Sequence, residues 1–257
     1  MIYALDKLPR ATREQIQASP RWRALFAKKP DTLLGIDNNA KTVKGEKYGM
    51  RTAILYLTPA MGSGVNLCPM AHVAKCDVPC LDTAGRGAMQ SVQMARLRKT
   101  LYYLQYRAEF IAQLDLEIAK AKAKAERDGV KLLVRLNGTS DIRFEDEAPQ
   151  LFARHSDVQF YDYTKLANRR NIPANYDLTF SYSGVVQFLP QVKKAKDKGM
   201  RIAAVFRSRE KIPATFAGMR CVDGDDSDVR HLDPQGVIVA LYAKGKAKTD
   251  TSGFVIG

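Results

Sequence analysis

Hydrophobic residues along this chain fall mostly into short continuous runs separated by polar, turn-rich stretches. Runs at 51–58, 131–136, 158–163, 177–182, 202–206, 219–222 and 237–242 predict seven strands. An unbroken apolar run marks a strand buried on both faces, as parallel strands are when helical crossovers cover the sheet. The segments between them, at 145–154, 165–170, 185–198 and 209–216, read as helices or turns. Residues 88–128 contain no Gly or Pro. They carry an apolar stripe at helical spacing through Val92, Ala95, Leu97, Leu101, Leu104, Ala108, Ile111, Leu114 and Ile118. This predicts one helix about 60 Å long, starting near a capping Asp82 or Thr83.

The fold class that follows is α/β, a partial TIM-type (β/α) barrel of about six to seven mostly parallel strands. It carries an N-terminal extension over residues 1–49, and the barrel occupies 50–257 with a cysteine loop at 61–87. In the extension, a short helix breaks and restarts near Ser19-Pro20, where proline suits a first turn. Trp22 and Phe26 lie four apart and can pack one face onto the body. The stretch LLGIDNNAKTVKGEKYG is rich in turn formers and is expected to cross the surface.

Apolar residues make up 46% of the 257, and charged residues 26%, which excludes wholesale disorder. No apolar run reaches the roughly 18 residues that span a bilayer, and the N-terminus lacks the apolar core of a signal peptide. The expectation is a cytoplasmic protein with no membrane partner. A net charge of +14 favours polyanions, so nucleic acid or a nucleotide is the expected partner class. Arg96, Arg98, Lys99 and Arg107 form either a basic stripe on the long helix or an ordinary solvated face.

The chemistry concentrates in the loop after the first strand, which reads C-x7-C-x3-C at Cys68, Cys76 and Cys80. In a reducing compartment, clustered thiols point to metal or redox chemistry rather than disulfides. Three thiolates suit a [4Fe–4S] cluster with one open iron. Placed after the first strand of a barrel, they resemble the radical S-adenosylmethionine (SAM) enzymes, although the spacing differs from the usual C-x3-C-x2-C. Zinc is the alternative, with His72 as a fourth ligand or with Cys221 completing four thiolates. Side chains four apart spread about 18 Å along a straight helix, so a shared zinc requires the folded loop that Pro69 and Pro79 favour. A third reading has these cysteines as small buried residues.

Polar groups recur where the other strands end. Asn137, Ser140 and Asp141 follow one strand, and Gly138 among them permits a close backbone approach to a ligand. An Asx or Ser turn explains the same residues equally well. Tyr161 and Tyr163 share one side of their strand and Asp162 takes the other. Lys165, Ser183 and Arg207 follow the later strands. No GxGxxG, Walker A or nucleophile-elbow motif is present. DGDDSD at 223–228 lacks the Gly and Glu of a calcium loop. His155 and His231 are isolated and read as structural.

The runs ILYLTPA, NLCPMAH, VRLNGTSD, FYDYTK, LTFSYSG and VIVALYAKGKA together resemble a phage and prophage group, the gene-product-88-like family. The resemblance spans about residues 45–245 and implies a phage-borne barrel with a cysteine-bound metal centre. It carries over Cys68, Cys76 and Cys80 as ligands, and Arg135 and Asp141 as strand-end residues. The expected site therefore has a [4Fe–4S] cluster on the three cysteines. SAM is held by Asn137, Ser140 and Asp141, with Ser183 and Arg207 nearby. Asp141, Tyr163 and Lys165 act on the substrate. The competing expectation is a basic nucleic-acid-binding protein with structural zinc and no catalysis.

Overall fold

Each of the seven apolar runs forms a strand in the computed structural model, which describes residues 2–36 and 44–257. They are β2 (Met50–Leu55), β3 (Lys131–Arg135), β4 (Gln159–Thr164), β5 (Tyr176–Ser181), β6 (Ile202–Phe206), β8 (Met219–Asp223) and β9 (Ile238–Tyr242). Two short strands join them at the edges. β1 (Leu34–Ile36) pairs antiparallel with β2, and β7 (Thr215–Phe216) pairs antiparallel with β8. The order is β1-β2-β3-β4-β5-β6-β9-β8-β7, and all neighbours from β2 to β8 are parallel. The sheet has two edges and is open, so the expected TIM-type ring does not close.

Strand alternation divides the side chains between two faces. Ala53, Leu55, Val134, Phe160, Phe180, Ile202 and Ile238 point to the face that the helices cover. The opposite face carries Leu133, Tyr161, Ala203 and Val239 together with buried polar groups. The 224–236 connection lies over it. Val229 packs there on Leu133 and Tyr161, Asp228 pairs with Arg135 at 2.7 Å, and the Arg201 guanidinium donates to the Asp233 carbonyl at 2.6 Å.

The single long helix is a correction. It is two helices, α3 (Gln90–Gln105) and α4 (Arg107–Arg127), broken at Tyr106, whose φ of −134° and ψ of 50° are not helical. No Gly or Pro marks the break. At the break the Tyr106 hydroxyl donates to the Ile2 carbonyl at 2.8 Å, and the ring meets Tyr3 edge-on. Tertiary contacts with the N-terminal segment, not local propensity, accompany the break. The helix also starts later than Asp82, after 3-10 turns at Leu81–Thr83 and Gly85–Ala88. Residues 145–154 form two short helices, α5 (Phe144–Glu147) and α6 (Pro149–Arg154), because Pro149 lacks the N–H that would continue the first. α7 is Leu189–Asp197, residues 165–170 are turns, and 209–216 holds a 3-10 turn followed by β7 rather than a helix.

The N-terminal break is as expected. α1 (Arg10–Ala18) ends at Ser19, whose hydroxyl caps α2 (Pro20–Leu25) by accepting from the Trp22 N–H at 3.4 Å. Trp22 and Phe26 are buried, and Tyr3, Leu5, Ile16 and Leu33 share their hydrophobic cluster with α3, α4 and β2–β4. The turn-rich stretch expected to cross the surface contributes β1, and its part at 37–43 lies outside the described residues.

Candidate metal centre

The parallel strands deliver their carboxyl ends to one edge, and the loop after β2 crosses that edge. Two of its non-glycine residues, Ala60 (φ 45°) and Lys75 (φ 53°), sit in the left-handed region. Such conformations cost on the order of 1–3 kcal/mol each and persist only where the surroundings impose them. Gly64, at φ 79°, lies so close to the N-terminal segment that a Cβ would fall 1.6 Å from the Lys7 carbonyl oxygen. The loop is bonded to two strand ends and to α3. The Asp141 N–H donates to the Leu67 carbonyl at 2.8 Å, the Ser183 hydroxyl to the Ala74 carbonyl at 2.8 Å, and the Thr58 N–H to the Thr100 hydroxyl at 2.8 Å.

This framework brings the three cysteines toward one another as free thiols. Cys68 is held at its sulfur by the Ala60 N–H at 3.4 Å, and its thiol faces the Thr139 carbonyl at 3.6 Å. Burial pushes the Cys68 thiol up to about 12, with Asp141 and Cys76 adding to the rise. Burial also raises Cys80, aided by Asp82, Cys68 and Cys76. Cys76 rises by burial too, against the pull of the Lys165 ammonium. Cys76 is the common neighbour of this set, influenced by Lys165 and Asp141 and itself raising Cys68 and Cys80. Among the described residues, no three His, Cys, Asp or Glu side chains stand close enough to hold one metal ion. A tetrahedral zinc at 2.3 Å from each sulfur would need them about 3.8 Å apart, whereas a cubane cluster takes each thiolate on a separate iron. By donor chemistry alone, three soft sulfurs from one loop suit zinc or an iron–sulfur cluster.

Two of the zinc expectations find no support in the side-chain positions. His72 is 82% exposed and contacts Asp77 at 3.4 Å, so it points away from the thiols. Cys221 packs against the same hydrophobic cluster as Cys76, but burial alone raises its thiol, with no influence from the loop cysteines.

Lys165 lies beneath the loop, buried, with its ammonium donating to the Ser181 and Tyr182 carbonyls at 3.0 and 2.8 Å. It sits over the Phe254 and Phe188 rings at 4.6 and 5.3 Å. Burial lowers its pKa to about 8, opposed by Cys76, Asp141 and Cys80. Asn137 and Ser140 are committed to each other and to the turn. The Asn137 carboxamide oxygen accepts from the Ser140 hydroxyl at 2.9 Å and the Ile142 N–H at 2.8 Å, while its amide donates to the Ile142 carbonyl at 3.0 Å. Asp141 accepts from the Thr164 hydroxyl and the Lys165 N–H, both at 2.8 Å. These side chains build the loop's seat. Gly138 likewise serves the fold: a Cβ there would stand 2.7 Å from Ile54 and 2.8 Å from the Leu55 carbonyl, so the close approach is to β2.

Tyr163 and Arg207 stand apart from the thiols. Tyr163 lies in the network on the other sheet face, 5.1 Å from the Arg135 guanidinium carbon and beside Arg230 and Asp228. Arg207 clasps the C-terminal segment, donating to the Gly257, Ala247, Lys248 and Asp250 carbonyls. That segment is a part of the site the sequence reading missed. Its Phe254 covers Lys165, and its Ser252 hydroxyl donates to the Lys75 carbonyl at 3.5 Å. The expected basic stripe is also absent. Arg98 and Lys99 donate to the Leu25 and Leu33 carbonyls, and Arg107 pairs with Glu147. His155 is structural, bonded to Asp115 at 2.7 Å.

Comparison with known proteins adds one match. A family model described as "Gene product 88" matches residues 28–257. No curated protein and no solved structure matches the chain. No helix among the described residues is long and apolar enough to cross a membrane.

Proposed function

Since the chain belongs to the gene product 88 family, we propose that it is a phage-type iron–sulfur protein of radical-SAM-like design. In this proposal Cys68, Cys76 and Cys80 bind a [4Fe–4S] cluster, and SAM is the ligand of the open iron. The observation that carries the proposal is that one loop, crossing the carboxyl ends of parallel strands, bears three free, partly buried thiols. Over β2 to β6 the strands follow one another in sequence order, as successive barrel strands do, before β9 inserts between β6 and β8.

When bound, the cluster supplies one-electron chemistry that no side chain can. The chain's own groups prepare the place. Burial favours the thiol form, so Cys68, Cys76 and Cys80 would have to give up their protons to hold a cluster. Lys165 offsets the negative charge that three thiolates bring under the loop. Ser183, Asp141 and the turn at Asn137 and Ser140 fix the loop's height above the strands, and Arg207 holds the C-terminal segment across it. The substrate class is a nucleotide or a nucleic-acid component, supported by the net charge of +14.

Anaerobic reconstitution with iron and sulfide, followed by reduction and electron paramagnetic resonance with and without SAM, tests the proposal. A cluster signal that shifts on adding SAM is expected. A cluster signal indifferent to SAM removes the SAM assignment. A colourless protein carrying one zinc overturns the whole and supports a structural zinc site.

A further inference from the structure

Arg96 on α3 is the polar group beside the cysteine loop that the proposed function leaves unused. Its Nε and Nη1 atoms are buried without a hydrogen-bond partner. Its guanidinium lies 4.9 Å over the Tyr56 ring, which holds the fork in one plane without satisfying its in-plane donors. Asp82 and Cys80 are within its electrostatic reach, yet Asp82 forms no ion pair with it among the described residues. A buried guanidinium nitrogen without an acceptor costs the full desolvation of the donor, so Arg96 is a cation awaiting an anion.

Open space lies beyond Arg96's neighbours Gln93 and Asp82, although Arg96 itself does not line it. An open groove of about 550 Å³ runs along the cysteine loop, lined by Pro59, Ala60, Asp82 and, one helical turn before Arg96, Gln93. Its rim is apolar. Met61 and Val78 both line it and are 56% and 69% exposed, an unusual display for large hydrophobic side chains. Groove and cation together describe a ligand with one anionic group and an apolar or aromatic body.

We propose that Arg96 is the anion-binding residue of the cysteine-loop groove, receiving the carboxylate or phosphate of the ligand that sits at this centre. This rests on the reading of the loop as a ligand-bearing site, but not on the identity of the metal. Arg matches either group through two parallel N–H donors.

The test compares two pairs of probes by equilibrium dialysis: SAM against decarboxylated SAM, and adenosine monophosphate against adenosine. Iron and sulfide are assayed in the same samples, and the dialysis is repeated on metal-free protein. The wild type is expected to prefer the anionic member of one pair by about tenfold or more; which pair responds tells carboxylate from phosphate. Arg96→Met is expected to erase that preference while leaving iron content, the neutral member's affinity and the circular dichroism spectrum unchanged. Arg96→Lys retains part of it. A preference that survives in Arg96→Met overturns the proposal, as does a wild type that discriminates in neither pair or binds neither anion. Loss of thermal stability with an unchanged preference also overturns it, by making Arg96 structural. Failure to load iron, with the preference intact, would count against the cluster alone.

Discussion

Two polar clusters share the carboxyl edge of the sheet, and they differ in how far their groups are satisfied. In one, Asn137, Asp141, Glu145, Asp162, Arg169 and Tyr176 bond one another. Asp162, fully buried, accepts from the Leu136 and Asn137 N–H groups at 3.1 and 3.0 Å and from the Tyr176 hydroxyl at 2.9 Å. Arg169 reaches Glu145, Asp141 and the Ile142 carbonyl. In the other, three thiols raised by burial and an Arg96 guanidinium with two unbonded nitrogens have few partners. A saturated buried network specifies structure, whereas an unsaturated one held by strained backbone is poised for a ligand.

If that division is right, the largest effects on folding come from the saturated cluster. Arg169→Ala leaves Glu145 and Asp141 as buried carboxylates without their cation, and a loss of about 3–5 kcal/mol is expected, read by urea unfolding. A loss under about 1 kcal/mol would erase the contrast. Next is Lys165, which sits between the clusters. Its amine is near 8 when folded and 10.5 when free. Between those values the unfolded chain binds more protons, so this group's contribution to stability rises with pH across that window and is flat below it. Lys165→Met removes the rise. The stability difference between wild type and variant is therefore expected to grow in the wild type's favour from pH 8 to 10.5, on the order of 3 kcal/mol. A difference that does not change with pH would place the amine in water.

Gly138→Ala comes third. Its methyl would meet Ile54 and the Leu55 carbonyl across β2 and β3, for an expected cost of about 1–3 kcal/mol in denaturant unfolding. The smallest effect belongs to the cysteines. In metal-free protein, Cys68→Ser, Cys76→Ser and Cys80→Ser are each expected to lie within about 1 kcal/mol of wild type, because no saturated network depends on their sulfurs.

The sheet was legible because most of the seven strands carry near-continuous apolar runs, although β5 and β8 are interrupted by polar residues. β1 was not, because Leu34–Ile36 runs directly into a string of turn formers, and a three-residue edge strand has no periodicity to read. The break at Tyr106 was invisible for a different reason. Nothing local demands it, and the Ile2 carbonyl its hydroxyl bonds lies 104 residues away in sequence. At the site, the cysteines declared themselves by clustering. For Asn137, Ser140 and Arg207 the sequence left the partners open, because side-chain type does not reveal which groups already bond it; the structure pairs them with the turn and the C-terminal segment. Arg96 looked like one more cation on a helix face; the aromatic Tyr56 at the end of β2 was the available hint, and it needed the packing of α3 on β2 to mean anything.

The most direct measurement is iron and sulfide content per chain after anaerobic reconstitution, compared across wild type, Cys68→Ser, Cys76→Ser, Cys80→Ser and Cys221→Ser. A three-thiolate cluster predicts about four of each in wild type and Cys221→Ser, and severe loss in the other three variants. Wild type without iron, or iron that persists when the loop cysteines are replaced, would contradict it.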